Sequence, residues 1–362
     1  MAMKSIIERY RLRAAFSAVL LAGVTASAAP TSRPLDPLFT PATSETRAAV
    51  LIRDGMVVEK RYAPGYSDTN RFISWSMAKS VTAVLIGELV ADGRLQLDAP
   101  APLKEWQKAG DPRAKITLRQ MLNMASGISH VEVGEPVFAS DTNQVLFVGG
   151  TDGMAEVALQ KPLEAAPGTK FEYSSLTSLL LAEIITRQLT NSRDPKIRAE
   201  AYRRFAEDRL FRPAGITSAV LDFDGAGTQI GGSILYMSLD DWARFGKVLL
   251  DGKGEAKTPI IAPDWLKFMR APSPQDNGYG GQMWLNRARP AGSDAALFPG
   301  KGPTSLTSAI GHLGQYVIAS PDQGLVLVRL GKTNDPDLGP VRAALAQIVS
   351  SIPIKDAVNA QP

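Results

Sequence analysis

The stretch Phe72–Gly93, FISWSMAKSVTAVLIGELVADG, reads as a buried helix carrying a lysine in its first turn. From Ser76 to Ala91 it has no proline and is long enough for about four turns, and Asp92-Gly93 supplies a C-terminal stop. Ala, Val, Leu and Ile occupy most of its faces, so the helix is expected inside the domain rather than on its surface. Lys79 is uncomfortable there: a cation at a helix N-terminus opposes the macrodipole, and burial adds the cost of desolvating its charge. Both effects favour the neutral amine, which is a base. Ser76 is the hydroxyl such a base would meet, because residues three apart on a helix lie about 5–6 Å from each other between Cβ atoms. On these residues alone the pair fits equally well an N-cap serine and a lysine whose amine reaches solvent.

Upstream, Lys4, Arg9, Arg11 and Arg13 precede the apolar run AAFSAVLLAGVTA and the small residues Ala26 and Ala28. This is the pattern of a secretory signal peptide over residues 1–28, cleaved near Ala28, which predicts a periplasmic or secreted protein. The apolar run is too short to span a bilayer, and no membrane span is expected in the mature chain. Removing the segment takes three net positive charges with it, so the formal charge falls from +4 to +1. The basic balance therefore belongs mainly to the leader and gives no support for nucleic-acid binding. Zero cysteines exclude a disulfide framework and thiol chemistry, and only two histidines, His130 and His312, are present. No metal site and no cofactor are expected: there is no HExxH pair, no phosphate-binding loop and no G-x-S-x-G elbow, and DFDGAG (222–227) reads as a turn.

The remaining chain is expected to form one domain over residues 29–362. AAVLIRDGMVVEKRY reads as a strand, an Asp54-Gly55 turn and a strand. ITLRQMLNMAS opens with Thr117 and Gln120 at capping-box spacing; SLTSLLLAEIITRQL and IRAEAYRRFAEDRLF read as further helices. SLDDWARFGKVLLDG gives a helix from a Ser238 cap to a stop at Gly252, GQYVIASPDQGLVLVRLG reads as two strands, and VRAALAQIVSSI as a last helix. Strands at both ends with helices between them predict an α+β fold. Its central antiparallel sheet comes from about 45–100 and 226–355 and is flanked by helices, with an inserted, mostly helical part over about 101–225.

Two further elements carry candidate chemistry. PGTKFEYSS (167–175) is a turn that delivers Tyr173 and two hydroxyls to a helix start. A tyrosine near a lysine is expected to have a lowered pKa and to serve as base and acid; read alone, the element favours a core tyrosine. GHLGQYVIAS (311–320) reads as a strand in which Gly314 admits a ligand close to the backbone and His312 offers a hydrogen bond to a carboxylate or carbonyl.

In this order, SWSMAKS, ITLRQMLNMASGI, PGTKFEYSS, GGSILYMSLDDWARFGKVLLDG and IGHLGQYVIASPDQGLVLVRLG resemble the serine β-lactamase-related, penicillin-recognising hydrolase family. Within it they are most similar to the 6-aminohexanoate-dimer (nylon-oligomer) hydrolase and esterase branch. The resemblance implies a β-lactamase/transpeptidase-like fold, with Ser76 as nucleophile, Lys79 as activating lysine and Tyr173 as the tyrosine of a Tyr-x-Asn element. His312-Leu313-Gly314 would stand where a Lys-Thr-Gly strand stands in relatives, with the backbone of Gln315 completing an oxyanion site. Ser175 occupies the usual asparagine position, and His312 that of the strand lysine; both departures lower the expectation of β-lactam turnover.

The activity so implied is that of an exported serine hydrolase acting on an amide or ester of a small molecule through an acyl-enzyme. The alternatives are a class C-like β-lactamase or D-alanyl-D-alanine carboxypeptidase, an inactive cell-wall-peptide-binding protein on the same fold, and a Ser-His-Asp triad built on His130 or His312.

Overall fold

Asp54 and Gly55 turn the chain with φ of 51° and 83°, the paired positive values of a tight hairpin, between β1 (Thr46–Arg53) and β2 (Met56–Tyr62). This is the expected hairpin. The computed structural model describes residues 33–355; the leader expected over residues 1–28 lies outside the described residues. After β3 (Phe72–Ile73) come α1 (Ala78–Ala91), α2 (Leu118–Leu122), α3 (Asp141–Phe147), α4 (Met154–Gln160), α5 (Ser175–Leu189) and α6 (Pro195–Ala206). β4 (Val220–Leu221), β5 (Leu235–Met237), α7 (Leu239–Asp251), α8 (Pro263–Arg270), β6 (Trp284–Leu285), β7 (Thr307–Gly311), β8 (Gln315–Ser320), β9 (Leu325–Gly331) and α9 (Leu338–Ser350) follow.

The main sheet is antiparallel, in the order β2-β1-β9-β8-β7-β6. Strands from the two ends of the chain meet at the β1–β9 ladder, as the element order required. Successive side chains of a strand point to opposite faces, and here each face has its own core. Ala48, Val50 and Ile52 join α1, α5 and α7, whereas Ala49 and Leu51 join Val341, Leu345 and Ile348 of α9. With both faces covered, β8 and β9 are buried along their whole length. α1 is buried continuously from Ala78 to Leu89, and each fully buried Val or Leu there contributes about 1.5–3 kcal/mol.

The expected caps form. Thr117 and Gln120 exchange the two bonds of a capping box. Ser238 accepts from the Asp241 N–H at 3.2 Å, and Gly252 ends α7 at φ 77°.

Three local expectations are corrected. Ser76 is not the first residue of α1 but lies in a 3₁₀ turn, Trp75–Met77, and Trp75 has φ 43°. The turn runs straight into α1, the Ala78 N–H bonding back to the carbonyl oxygens of Trp75 and Ser76. His312, Leu313 and Gly314 are not in a strand: Leu313 (φ 60°) and Gly314 (φ 78°) make the turn between β7 and β8. The amphipathic helix after Pro195 passes at Ala206 into a π-helical turn, Glu207–Phe211. A small sheet, β3-β5-β4, was not anticipated; strands of two or three residues are too short to show an alternation.

Candidate active site

Lys79 is the second residue of α1 and is 1% exposed. Its Nζ atom stands 3.1 Å from Ser76 Oγ, 2.9 Å from Ser175 Oγ and 2.6 Å from the carbonyl oxygen of Gly232. Burial lowers its pKa to about 8, against the opposing pull of the Glu132 carboxylate. About a tenth of the amine is thus neutral at pH 7, against well under a thousandth for an ordinary lysine. Gly232 reaches Lys79 because its segment threads between α1 and α5: a Cβ on Gly232 would lie 2.9 Å from the Ser175 carbonyl oxygen.

α5 supplies the second wall. Ser174 caps it, accepting from the Thr177 N–H at 3.1 Å, which leaves Ser175 free to face Lys79 and Tyr173 to project ahead of the helix. The Tyr173 ring stacks on Trp284 (centroids 5.3 Å, 27°) and meets Tyr279 edge-on at 5.8 Å. Lys79 Nζ lies 4.9 Å from its ring centroid, and its hydroxyl lies near Ser76. The expected lowering of the Tyr173 pKa is overturned. Burial, reinforced by the negative charge of Glu132, raises it well above the ordinary tyrosine value. Tyr173 is a protonated phenol in the resting site.

Glu132 was missed by the sequence reading. It lies in the irregular segment after α2, and its oxygens accept from the Ser175 N–H (2.8 Å) and Oγ (2.7 Å), from Thr142 Oγ1 (3.0 Å) and from His130 Nε2 (2.6 Å). Burial acts to raise its pKa, but the His130 bond, the charge of Lys79 and the Ser175 bond outweigh it and hold the carboxyl at about 2. The loop SHVEVGE has no periodicity that would have singled out this carboxylate.

The β7–β8 turn closes the third side. A Cβ on Gly311 would collide with the Ser74 carbonyl oxygen, so only glycine lets the end of β7 approach the Ser76 turn. His312 meets Trp75 edge-on at 5.3 Å, with its side chain 51% exposed. The Gln315 side chain is spent on backbone, donating to Gly331 O at 2.7 Å and accepting from Gly331 N at 3.0 Å. Buried Arg329 donates to the carbonyl oxygens of Leu313 and Gly314, which fixes the turn. Ser76, Ser175 and the Tyr173 ring thus surround Lys79, with His312 and Gly314 on the adjoining turn and Gln315 opening β8. Among the described residues neither imidazole hydrogen-bonds Ser76: His130 bonds Glu132 and Thr142, and His312 packs on Trp75.

The family model described as Beta-lactamase matches residues 42–350. The chain belongs to the beta-lactamase family. The 6-aminohexanoate-dimer hydrolase of Paenarthrobacter ureafaciens is 26% identical over 305 residues, 81% of this chain and 74% of that protein. Two solved structures share the family fold: a penicillin-binding protein from Bacillus halodurans and EstCE1, a hydrolase with promiscuous acyltransferase activity. The first is 15% identical with a TM-score of 0.62, covering 86% of this chain and 98% of its own. The second is 16% identical with a TM-score of 0.65, covering 88% and 97%. The fold is β-lactamase/transpeptidase-like, as the resemblance implied. No helix among the described residues is long and apolar enough to cross a membrane.

Proposed function

We propose that this family member is a serine hydrolase that cleaves an amide or ester bond of a small substrate through an acyl-enzyme on Ser76. The observation that carries it is the contact of Ser76 Oγ with a buried amine whose pKa is brought down to about 8. Neutral Lys79 takes the Ser76 proton as Oγ bonds to the substrate carbonyl carbon. The backbone N–H groups of Ser76 and Gln315 stabilise the resulting oxyanion, each contributing about 3–4 kcal/mol in comparable sites. Tyr173, protonated and placed near Ser76, gives its proton to the leaving group; the Lys79 ammonium stabilises the phenolate and returns the proton to it. Water then adds to the acyl carbon, losing a proton to Lys79, and the acid departs as Ser76 regains its hydrogen.

Ser175 and His312, in place of the asparagine and lysine of β-lactam-processing relatives, support an esterase or linear amidase similar to 6-aminohexanoate-dimer hydrolase over a β-lactamase or carboxypeptidase. The leader composition supports export, with residues 1–28 removed and residues 29–362 as the working domain. A serine-directed fluorophosphonate tests the chemistry directly. Label mapped to Ser76 is the expected result; a folded protein that takes no label favours a binding protein on the same fold.

A further inference from the structure

We infer that Glu132 is a positioning residue: by holding the hydroxyl proton of Ser175, it turns the lone pair of neutral Lys79 toward Ser76. The role rests on the acyl-enzyme chemistry proposed above, and it follows from counting donors and acceptors around one nitrogen.

Neutral Lys79 has two N–H donors and one lone pair, and three oxygens surround it. The Gly232 carbonyl oxygen can only accept, so it takes one N–H. The other two neighbours are hydroxyls, each able to donate or accept. Left to itself, Ser175 could donate to the lysine lone pair as readily as Ser76 could, and in that arrangement Lys79 would be no base for the nucleophile. Glu132 removes the ambiguity. An ionised carboxylate only accepts; its Oε1 lies 2.7 Å from Ser175 Oγ, and its Oε2 takes the Ser175 backbone N–H at 2.8 Å. The Ser175 proton is therefore directed at Glu132, and Ser175 Oγ must accept the second N–H of Lys79. The lone pair is left for Ser76.

Glu132 is itself held. His130, with its side chain fully buried, donates through Nε2 at 2.6 Å, and Thr142 Oγ1 donates at 3.0 Å. The other ring nitrogen, Nδ1, is buried and has no hydrogen-bond partner. The charged groups around Lys79 are few. Glu132 faces it from the segment after α2 and Tyr173 from the segment before α5, with Tyr279 beyond Tyr173. Behind Glu132 lie His130, then Asp141 paired with Lys161. Glu132 is the only carboxylate among them that bonds a direct partner of Lys79, and its negative charge also favours the ammonium.

The test uses the full chain and compares wild type with Glu132→Gln, Glu132→Asp, Ser175→Ala and the Glu132→Gln/Ser175→Ala double variant. Two quantities are read between about pH 6 and 10, the range in which a lowered lysine titrates. One is the rate of fluorophosphonate labelling at Ser76. The other is the titration of Lys79 by NMR of ¹³C-labelled lysine, assigned by its loss in Lys79→Met. Glu132→Gln is expected to lower the labelling plateau about tenfold to a hundredfold, the usual effect of misdirecting a buried hydrogen bond, and to move both titrations to lower pH. Glu132→Asp keeps the charge at a shorter reach, so its plateau falls while its titration stays near that of wild type. Adding Ser175→Ala to Glu132→Gln is expected to cost little more, since the two act in line. A purely structural Glu132 would lower the plateau without moving either titration, and that outcome, or losses that multiply, overturns the role. If wild type takes no label at Ser76, the acyl-enzyme proposal fails. The lysine titration still decides whether Glu132 governs Lys79, and should Glu132→Gln not fold, the charge-conserving variant and Ser175→Ala carry the comparison.

Discussion

Lys79 Nζ lies 3.1 Å from Ser76 Oγ, although the serine belongs to a 3₁₀ turn and the lysine to the helix that follows. The pair is held from outside by Gly232 and Ser175, so the serine hydroxyl can be removed without dismantling it. Ser76→Ala is expected to abolish turnover and leave the thermal midpoint within a few degrees of wild type, since a partly buried turn hydroxyl with one hydrogen bond is worth about 0.5–1.5 kcal/mol. Wild-type turnover by a folded Ser76→Ala protein would remove Ser76 as nucleophile.

The pH profile has a definite sign. In the proposed mechanism Lys79 works as the neutral amine, so kcat/KM, which reports the free enzyme, should climb with pH and reach half its plateau near the lysine pKa of about 8. Tyr173, held protonated well above its ordinary range, adds no falling limb below about pH 10. A flat profile from pH 6 to 9 would show that no lysine of this kind controls the rate.

The same shift is a statement about stability. The unfolded chain keeps its lysine proton up to about 10.5, whereas the folded chain releases it near 8. Below that window both states are charged and the fold bears the full cost of the buried ammonium. Between about 8 and 10.5 the unfolded state binds more protons, so stability rises with pH. Relative to Lys79→Met, wild type should gain roughly 3 kcal/mol across the window at about 1.4 kcal/mol per unit, measured by urea unfolding at a series of pH values. Parallel curves for the two proteins would contradict a buried, charge-averse Lys79.

Much of this site was legible in the chain. The apolar run around Lys79, the Thr117–Gln120 box and the Asp54-Gly55 turn are local patterns whose physics is complete within a few residues, and they form as expected. Glu132 is different: its meaning lies in bonds to Ser175, 43 residues away, and no local pattern announces such a contact. Trp75 and Leu313 take positive φ against their own preference, because packing of the β7–β8 turn against the Ser76 turn overrides it. The tyrosine pKa was misjudged for a related reason. Proximity to a lysine can be guessed from motif order, but the desolvation that outweighs it comes from Trp284 and Tyr279, far along the sequence.

Tyr173→Phe retains the ring contacts with Trp284 and Tyr279 and should fold normally. Its loss of activity and that of Lys79→Ala are expected not to multiply in the double variant, because groups that pass one proton act as a unit. Independent losses in single-turnover rates would mean that the two serve separate steps.

Specificity should follow from His312 and Ser175. A neutral imidazole offers one hydrogen bond where an ammonium offers a full charge, and charge-assisted bonds are roughly twice as strong. Short aryl esters or a linear aminohexanoate dimer are expected to turn over orders of magnitude faster than a chromogenic cephalosporin. Equal rates in a side-by-side assay would favour the β-lactamase alternative.

The β1–β9 ladder sets Thr46 against Gly331. Contacts this distant in sequence close late, since the loop between them must be ordered first. Ser76 and Lys79 leave the ribosome early, yet the Gln315 backbone and the Arg329 that steadies its turn arrive only with the final strands. A chain not yet extended through β8 and β9, or clipped before them, therefore holds Ser76 and Lys79 without the opposing side of the site, and the proposed hydrolysis would wait for those strands.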